Sequence, residues 1–424
     1  MSIIFTRLLY AKDEVVASLN TSLLRKDNIE EPMFWMNELF ESGFYEECFD
    51  VLWKTYYDFY AILHPCIDLY IQNKFIAWHR TRDKNTCPKG SIQPILDVVQ
   101  KFYESQVSMH VFLLYRYSIY METNATIMLY RKRGDLTKPR IIAQWIDDFA
   151  PEYHQLLLSI QKKNWDNIIH YIFDFVNEKN VVELFDTLRR FFQKAQERQV
   201  ECEMGKHTRR SHHFLESWCD GASDDLVKYP YQNWIQIILA YVIDKLVDVN
   251  VPINNDADMV DTKPRLDKSI LDTYQSTRNY SIDWNMIGCF LLMRFQNETF
   301  DIVSVYRDDW LRNTIFTPFW RERIEGHNGR IEYDGAKVNF ASEDDMENFY
   351  TDCYFNQLYG CNLEPDEQKL EEQEKSTHEI PKINVRDFCA HMGRILTYNH
   401  VQSDTNLIEM LLYVIENMPV FIEV

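Results

Sequence analysis

Residues 28–63 carry the pattern that decides the fold: NIEEPMFWMNELFESGFYEECFDVLWKTYYDFYAIL. Met33, Met36 and Phe40 recur at the i, i+3, i+7 spacing of an amphipathic helix, and Gly43 is placed to end that helix. A second run after the glycine repeats aromatic and aliphatic residues at helical spacing. Two amphipathic helices joined at a glycine predict an antiparallel helix hairpin, the unit of helical bundles and arrays.

The first of these helices also has a start signal. Asn28 followed by Glu31 resembles a capping box, and Pro32 is tolerated in a first helical turn. Other segments with helical spacing are 92–121, 141–160, 164–201, 224–249, 282–312, 343–358 and 403–418. No fixed repeat links them, so we predict an irregular arrangement of helices rather than a regular solenoid.

One segment alternates with the period of a β-strand instead. Residues 329–333 and 336–340 are separated by Asp334-Gly335. Asp-Gly between alternating runs predicts a β-hairpin with a type I′ turn, in which both central residues take positive φ. The expected fold is therefore mainly α, an irregular multi-helix bundle or helical array with a small β-hairpin near 329–340.

Two stretches lack any periodicity. Residues 250–268 contain two prolines and two adjacent asparagines, which is typical of a linker. They would separate an N-terminal helical domain, 1–249, from a C-terminal helical domain, 269–424. Residues 359–381 are rich in carboxylates and predict an exposed acidic loop in the second domain.

Composition excludes several classes of protein. The 424 residues contain 45 Lys+Arg and 65 Asp+Glu, a net charge of −20, and 46% are hydrophobic. The apolar content is too high for a wholly disordered chain, and the negative charge disfavours wrapping bare DNA or RNA. The 9 cysteines are odd in number and irregularly spaced, which favours reduced thiols. The most apolar stretch, 107–121, is too short to span a bilayer, so we expect a soluble protein without membrane contact.

The aromatic residues allow two interpretations. Trp35, Trp53, Tyr56 and Tyr57 could line an exposed binding groove or fill a core. The second helix of the pair is apolar on more than one side, which favours burial inside a larger helical body.

Sequence motifs of common enzyme classes are missing. The chain has no Gly-x-Ser-x-Gly elbow, His-Glu-x-x-His motif, EF-hand loop or Gly-x-Gly-x-x-Gly sequence. Adjacent acids such as Asp224-Asp225 and Asp344-Asp345 are predicted at helix N-termini rather than in a catalytic pair. A Cys–His pair built from distant positions stays open, because its members need not be close in sequence. We therefore predict no enzymatic activity and identify no small-molecule substrate.

Residues 198–219 contain the densest group of metal-capable side chains. Two cysteines and two histidines could bind zinc, although their spacing matches no standard finger. The candidate ligands are Cys202, His207, His212 and Cys219, with His213 adjacent. The favoured interpretation is an exposed helix end whose side chains face different ways, so we expect no cofactor. The alternative is a zinc ion bound by these residues.

The same segment is locally basic and contains Trp218. Cations beside an aromatic ring can bind phosphate and stack a base. The candidate residues for nucleic-acid contact are Arg198, Lys206, Arg209 and Arg210. Given the net charge, pairing with carboxylates of this chain or of an acidic partner is the favoured interpretation.

Four phrases of sequence occur together in a recognisable order. They are FWMNELFESGF at 34–44, LWKTYYDFY at 52–60, TPFWRERI at 317–324 and EPDEQ at 364–368. Their order resembles an uncharacterised protein family of the large nucleocytoplasmic DNA viruses of algae and protists. The resemblance covers about the first eighty residues and 317–368, and it implies a viral product that acts in an infected cell. It implies no catalytic residue.

These observations predict a non-enzymatic helical viral protein that acts by protein–protein binding, as a scaffold or regulatory subunit. The partner would be a viral or host protein, in the host cytoplasm or viral factory, with the virion as an alternative location. The competing hypothesis is an accessory factor of viral DNA replication or transcription that contacts nucleic acid through the basic segment.

Overall fold

A computed structural model describes residues 3–82, 89–112, 114–115, 145–178, 181–197, 233–246, 280–282 and 310–355. These residues are mainly α-helical and include a small antiparallel β-hairpin, which confirms the predicted fold class. None of the helices in these ranges combines the length and apolar character needed to cross a membrane.

Helices form most of the described chain. The N-terminal part contains α1 (Lys12–Arg25), α2 (Glu30–Glu41), α3 (Tyr45–Phe59), α4 (Ile67–Thr81) and α5 (Gln93–Glu104). The middle part contains α6 (His154–Gln161), α7 (Trp165–Glu178), α8 (Val181–Glu197) and α9 (Trp234–Leu246). The last part contains α10 (Trp310–Thr314), α11 (Pro318–Gly326), β1 (Gly329–Glu332), β2 (Lys337–Phe340), α12 (Glu343–Phe349) and a π-helical turn (Tyr350–Phe355).

The turn between α2 and α3 follows the prediction. Gly43 takes φ +95°, a conformation that favours glycine. Its N–H donates to the Phe40 carbonyl at 2.9 Å, and the N–H of Phe44 donates to the Leu39 carbonyl at 3.2 Å. This pair of bonds is the Schellman motif, which satisfies the last carbonyls of α2. Helices α2 and α3 contact each other on either side of it.

The predicted capping box at the start of α2 is wrong. The helix begins at Glu30, and the Asn28 side-chain oxygen accepts from the Glu30 N–H at 2.9 Å instead of from the N–H of Glu31. The Glu31 carboxylate does not turn back to Asn28, because it pairs with Arg25 at 2.8 Å. Asn28 therefore keeps one local bond to the helix start, while the Glu31 carboxylate is used in an ion pair between neighbouring helices.

Two predicted helices are interrupted. The segment 92–121 breaks after α5, where Ser105 is extended and the Ser108 N–H donates to the Phe59 carbonyl at 2.7 Å. In 141–160, the described residues form two short 3₁₀ turns before α6. Ala150 is extended there because it precedes Pro151, which disfavours helical backbone in the residue before it.

The β-hairpin is confirmed, but its predicted turn type is wrong. Gly329 pairs with Phe340 and Glu332 pairs with Lys337 across the antiparallel strands. Four residues connect the strands: Tyr333–Gly335 form a 3₁₀ turn, and Ala336 takes the left-handed conformation at φ 47°. The positive φ therefore falls after the Asp-Gly pair rather than on it.

The buried apolar residues form two clusters. The first cluster joins α1–α9 and buries all four of the aromatic residues whose role the sequence left open, which confirms that Trp35, Trp53, Tyr56 and Tyr57 belong to a core. The second cluster combines residues from both ends of the described chain: Ile3, Phe5, Leu9, Ala11, Trp310, Ile315, Trp320, Ile324 and Phe349. The predicted linker, 250–268, lies outside the described residues, so the domain boundary stays a prediction.

Candidate functional site

The residues that sequence patterns selected for binding lie outside the described ranges. This applies to the basic residues Arg198, Lys206, Arg209 and Arg210, to the candidate zinc ligands Cys202, His207, His212 and Cys219, and to the acidic loop 359–381. In the part of the chain that the structure describes, no three His, Cys, Asp or Glu residues converge to hold a metal ion. Nucleic-acid and zinc binding stay predictions.

Residues 3–11 form a compact hook, which we call the N-terminal clasp. The Thr6 N–H donates to the Tyr10 carbonyl and the Lys12 N–H donates to the Ile4 carbonyl, each at 2.8 Å. Leu9 takes φ 58°, which turns the chain back on itself. The clasp thereby carries apolar side chains into the second cluster while its backbone runs beside α2.

A buried ion pair attaches the clasp to α2. Nε of Arg7 lies 2.8 Å from Oε2 of Glu38, and both side chains are almost fully buried. The Leu8 N–H donates to Oε1 of Glu38 at 2.9 Å. The Arg7 N–H donates to the Ser42 hydroxyl, which itself donates to the Glu38 carbonyl at 2.6 Å. Each carboxylate oxygen has a donor, which is the condition for burying a charge without a large penalty.

Helix α11 approaches the same place from the other end of the chain. The Phe319 N–H donates to the Ser42 carbonyl at 3.2 Å. A backbone N–H at the start of α11 thus supplies a hydrogen bond to a carbonyl at the end of α2 that has no partner within its own helix. The Trp320 indole N–H donates to the Thr6 carbonyl at 3.0 Å, and the Thr317 hydroxyl donates to the Phe5 carbonyl. The phrases at 34–44 and 317–324 thus meet at one buried contact with the clasp. We call this contact of the clasp, α2 and the start of α11 the joint.

The polar side chains described above at this joint are engaged in structural bonds. Cys48 of α3 packs in the first apolar cluster, where burial raises the pKa of its thiol far above the usual range. A thiol held in its neutral form is a poor nucleophile and metal ligand. The hydrogen bonds of the joint position the clasp, α2 and α11 against one another.

Two exposed aromatic rings lie next to the joint. Phe316 is 37% exposed, Tyr333 is 52% exposed, and their ring centroids are 6.3 Å apart. Glu332 and Asp334 flank the tyrosine and are exposed as well. We call Phe316, Glu332, Tyr333 and Asp334 the exposed corner.

The corner stands on anchored backbone. Phe316 lies between Ile315, which is buried in the second cluster, and Thr317, which binds the clasp. Tyr333 follows directly on β1, whose last residue, Glu332, pairs with Lys337 of β2. The segment that carries Phe316 is therefore fixed by packing, and the segment that carries Tyr333 is fixed by the pairing of β1 with β2.

The acids at the start of α12 behave as their sequence predicts. Ser342 is the N-cap, and its hydroxyl accepts from the Asp345 N–H at 3.1 Å. Hydrogen bonds from the Ser342 hydroxyl and the Asn328 amide lower the pKa of the Asp345 carboxyl. Asp344 and Asp345 are thus helix N-terminal acids, while Asp224-Asp225 lies outside the described residues.

Sequence reasoning missed the joint, although it singled out both phrases that build it. Arg7 and Glu38 are 31 positions apart, and no spacing rule connects them. The available signal was Glu38 itself, a carboxylate inside the apolar run of α2, because a charge in that position needs a buried partner. Comparisons with protein-family models, curated proteins and solved structures found no match for this chain.

Proposed function

We propose that this protein works without catalysing a reaction, as a scaffold or regulatory subunit that binds another protein through the exposed corner. The observation that carries the proposal is the pair of neighbouring rings of Phe316 and Tyr333, exposed on anchored backbone. Large aromatic side chains, tyrosine above all, supply much of the binding energy at protein–protein interfaces.

The anchoring supports this proposal on energetic grounds. Ordering a mobile side chain or loop at an interface costs binding free energy, and a surface already held in place avoids most of that cost. Thr317 and Ile315 hold the backbone on both sides of Phe316. Arg7 and Glu38 of the joint are buried and paired with each other, whereas the rings of Phe316 and Tyr333 beside the joint are exposed to a partner.

The viral setting implied by the sequence resemblance belongs to the same proposal. A protein of this kind would act on a viral or host partner in the host cytoplasm, the viral factory or the virion. The nucleic-acid alternative rests on Arg198, Lys206, Arg209 and Arg210, which lie outside the described residues, and it stays a prediction.

Photo-crosslinking tests the proposal directly. A photoreactive amino acid replaces Tyr333 in the full-length chain, and cross-linked proteins are isolated from the cells that produce it. The matched control places the same group at Ile76 of α4, an apolar residue that is 41% exposed on another surface. We expect a discrete adduct from position 333, absent from position 76 and lost when Phe316→Ser is added. The same adducts from both positions, or none from position 333, would refute the proposed surface.

A further inference from the structure

We propose that the exposed corner binds a lysine or arginine side chain of a basic segment in the partner protein. This inference rests on the proposed function and names the chemistry of its partner. Several cations of this chain contact both an aromatic ring and a carboxylate. The corner exposes these two kinds of group as well.

Several cations of this chain are held between an aromatic face and a carboxylate. Three clear cases are Lys74 with Tyr70 and Asp97, Arg82 with Trp78 and Glu46, and Lys194 with Phe149 and Asp148. The cations lie 5.1, 4.6 and 5.2 Å from the ring centroids, and each lies 2.7 Å from a carboxylate oxygen. The ring quadrupole and the carboxylate both attract the positive charge, so the two contacts reinforce each other.

The corner exposes the same two kinds of group, aromatic rings and carboxylates, on neighbouring residues. Tyr333 and Phe316 supply the rings, and Glu332 and Asp334 supply carboxylates on either side of the tyrosine. Within the described residues, no cation lies over either ring. Lys337 is the cross-strand neighbour of Glu332, yet their side chains form no ion pair. A cation from another molecule would complete the arrangement.

The charge of the molecule favours such a partner. The whole chain carries a net charge of −20, and acidic residues outnumber basic ones nine to five between 310 and 355. A negative field of this extent raises the encounter rate with a basic segment and repels nucleic acid and anionic membranes. A basic protein segment matches both the exposed rings and acids of the corner and the negative charge of the chain.

A peptide comparison tests the inference on the full-length protein. The probes are a labelled peptide library with a fixed central arginine and the same library with citrulline, which keeps the shape but lacks the charge. We expect the arginine library to bind more tightly. We expect Tyr333→Leu, and separately Glu332→Gln with Asp334→Asn, to weaken that binding by about two- to five-fold each.

The control variant removes the same charge elsewhere. Glu343→Gln with Asp344→Asn changes two exposed acids of α12, and we expect it to leave arginine binding within experimental error of the original chain. Equal binding of the arginine and citrulline libraries, or an equal loss in the corner and control variants, would overturn the inference. Either result would leave the proposed function standing if position 333 still cross-links a partner. If position 333 no longer cross-linked a partner, the proposed function itself would be refuted, and this inference with it.

Discussion

Glu38 shows how this chain places a charge between apolar clusters. Its two carboxylate oxygens accept from the Arg7 guanidinium and the Leu8 N–H, each at less than 3 Å. We expect the pair to contribute specificity rather than much net stability, because desolvating two charges offsets most of their attraction. What it fixes is the position of the N-terminal clasp on α2.

Replacing Glu38 alone should therefore be costly. In Glu38→Gln the amide keeps the shape but leaves the Arg7 charge buried without a counter-charge, and we expect a loss of about 3–5 kcal/mol in the free energy of unfolding. Urea denaturation measures this loss. The control is Glu41→Gln, since Glu41 forms a more exposed ion pair with Lys89 at 3.1 Å, and its loss should cost about 0–1 kcal/mol. Equal losses in the two variants would show that the Arg7–Glu38 pair is not effectively buried.

Gly43 is required at its position for two reasons. Its φ of +95° is unfavourable for other residues, and a Cβ atom built there would lie 2.5 Å from Cβ of Pro318. We expect Gly43→Ala to lower the free energy of unfolding by more than the 1–2 kcal/mol or so of the backbone strain alone. Gly326→Ala is the control, because no atom lies within 4 Å of the added Cβ and the backbone is helical. If alanine were tolerated equally at both glycines, the close approach of α11 to the α2–α3 turn would be wrong.

At the scale of elements, apolar spacing predicted most of the described helices, but it did not predict α1, α4 or α11, or the interruptions of the longer segments. Helix α2, Gly43 and the β-hairpin could be predicted because their signals are local: apolar spacing, a glycine, and Asp-Gly between alternating runs. The break after α5 could not, because the Ser108 N–H finds its acceptor at Phe59, far away in sequence. The contact between α2 and α11 could not be predicted either, because the residues that form it are far apart in sequence.

The junction of α1 and α5 contains a lysine with unusual proton affinity. The Lys26 ammonium donates to the Ser105 carbonyl, and the Tyr103 hydroxyl donates to the Lys26 carbonyl at 2.8 Å. Burial lowers the pKa of Lys26 to about 8. The unfolded chain therefore binds more protons than the folded chain between this pKa and the ordinary lysine value, and folding stability from this group rises with pH across that window.

A comparison with Lys26→Met isolates this contribution. We compare the free energy of unfolding of the original chain with that of the variant. Relative to the variant, the original chain should become more stable as pH rises from about 8 toward the ordinary lysine pKa near 10.4. Urea denaturation at several pH values measures it. A pH-independent difference for Lys26→Met would mean that this ammonium is not desolvated.

At the scale of the whole molecule, the clasp contributes side chains to both apolar clusters. Leu8 and Tyr10 pack in the first cluster with α1–α9, and Ile3, Phe5 and Leu9 pack in the second cluster with α10, α11 and α12. Because each cluster has its own buried aromatic residues, we expect the second to open locally while the first stays folded. Phe316 of the exposed corner lies between Ile315, which packs in the second cluster, and Thr317, which binds the clasp, so the geometry of the corner depends on the clasp.

Hydrogen exchange can separate the two clusters. Phe5 is fully buried in the second cluster, and truncation of a buried phenylalanine to alanine typically costs about 3–5 kcal/mol. In Phe5→Ala the amides of α11, β1 and β2 should exchange faster, while those of α7 and α9 keep their protection. Phe175→Ala in the first cluster should give the opposite pattern, because Phe175 stacks on Tyr153 with ring centroids 4.7 Å apart. Uniform loss of protection in both variants would show that the clusters unfold as one unit, and the corner would then be as stable as the helical body.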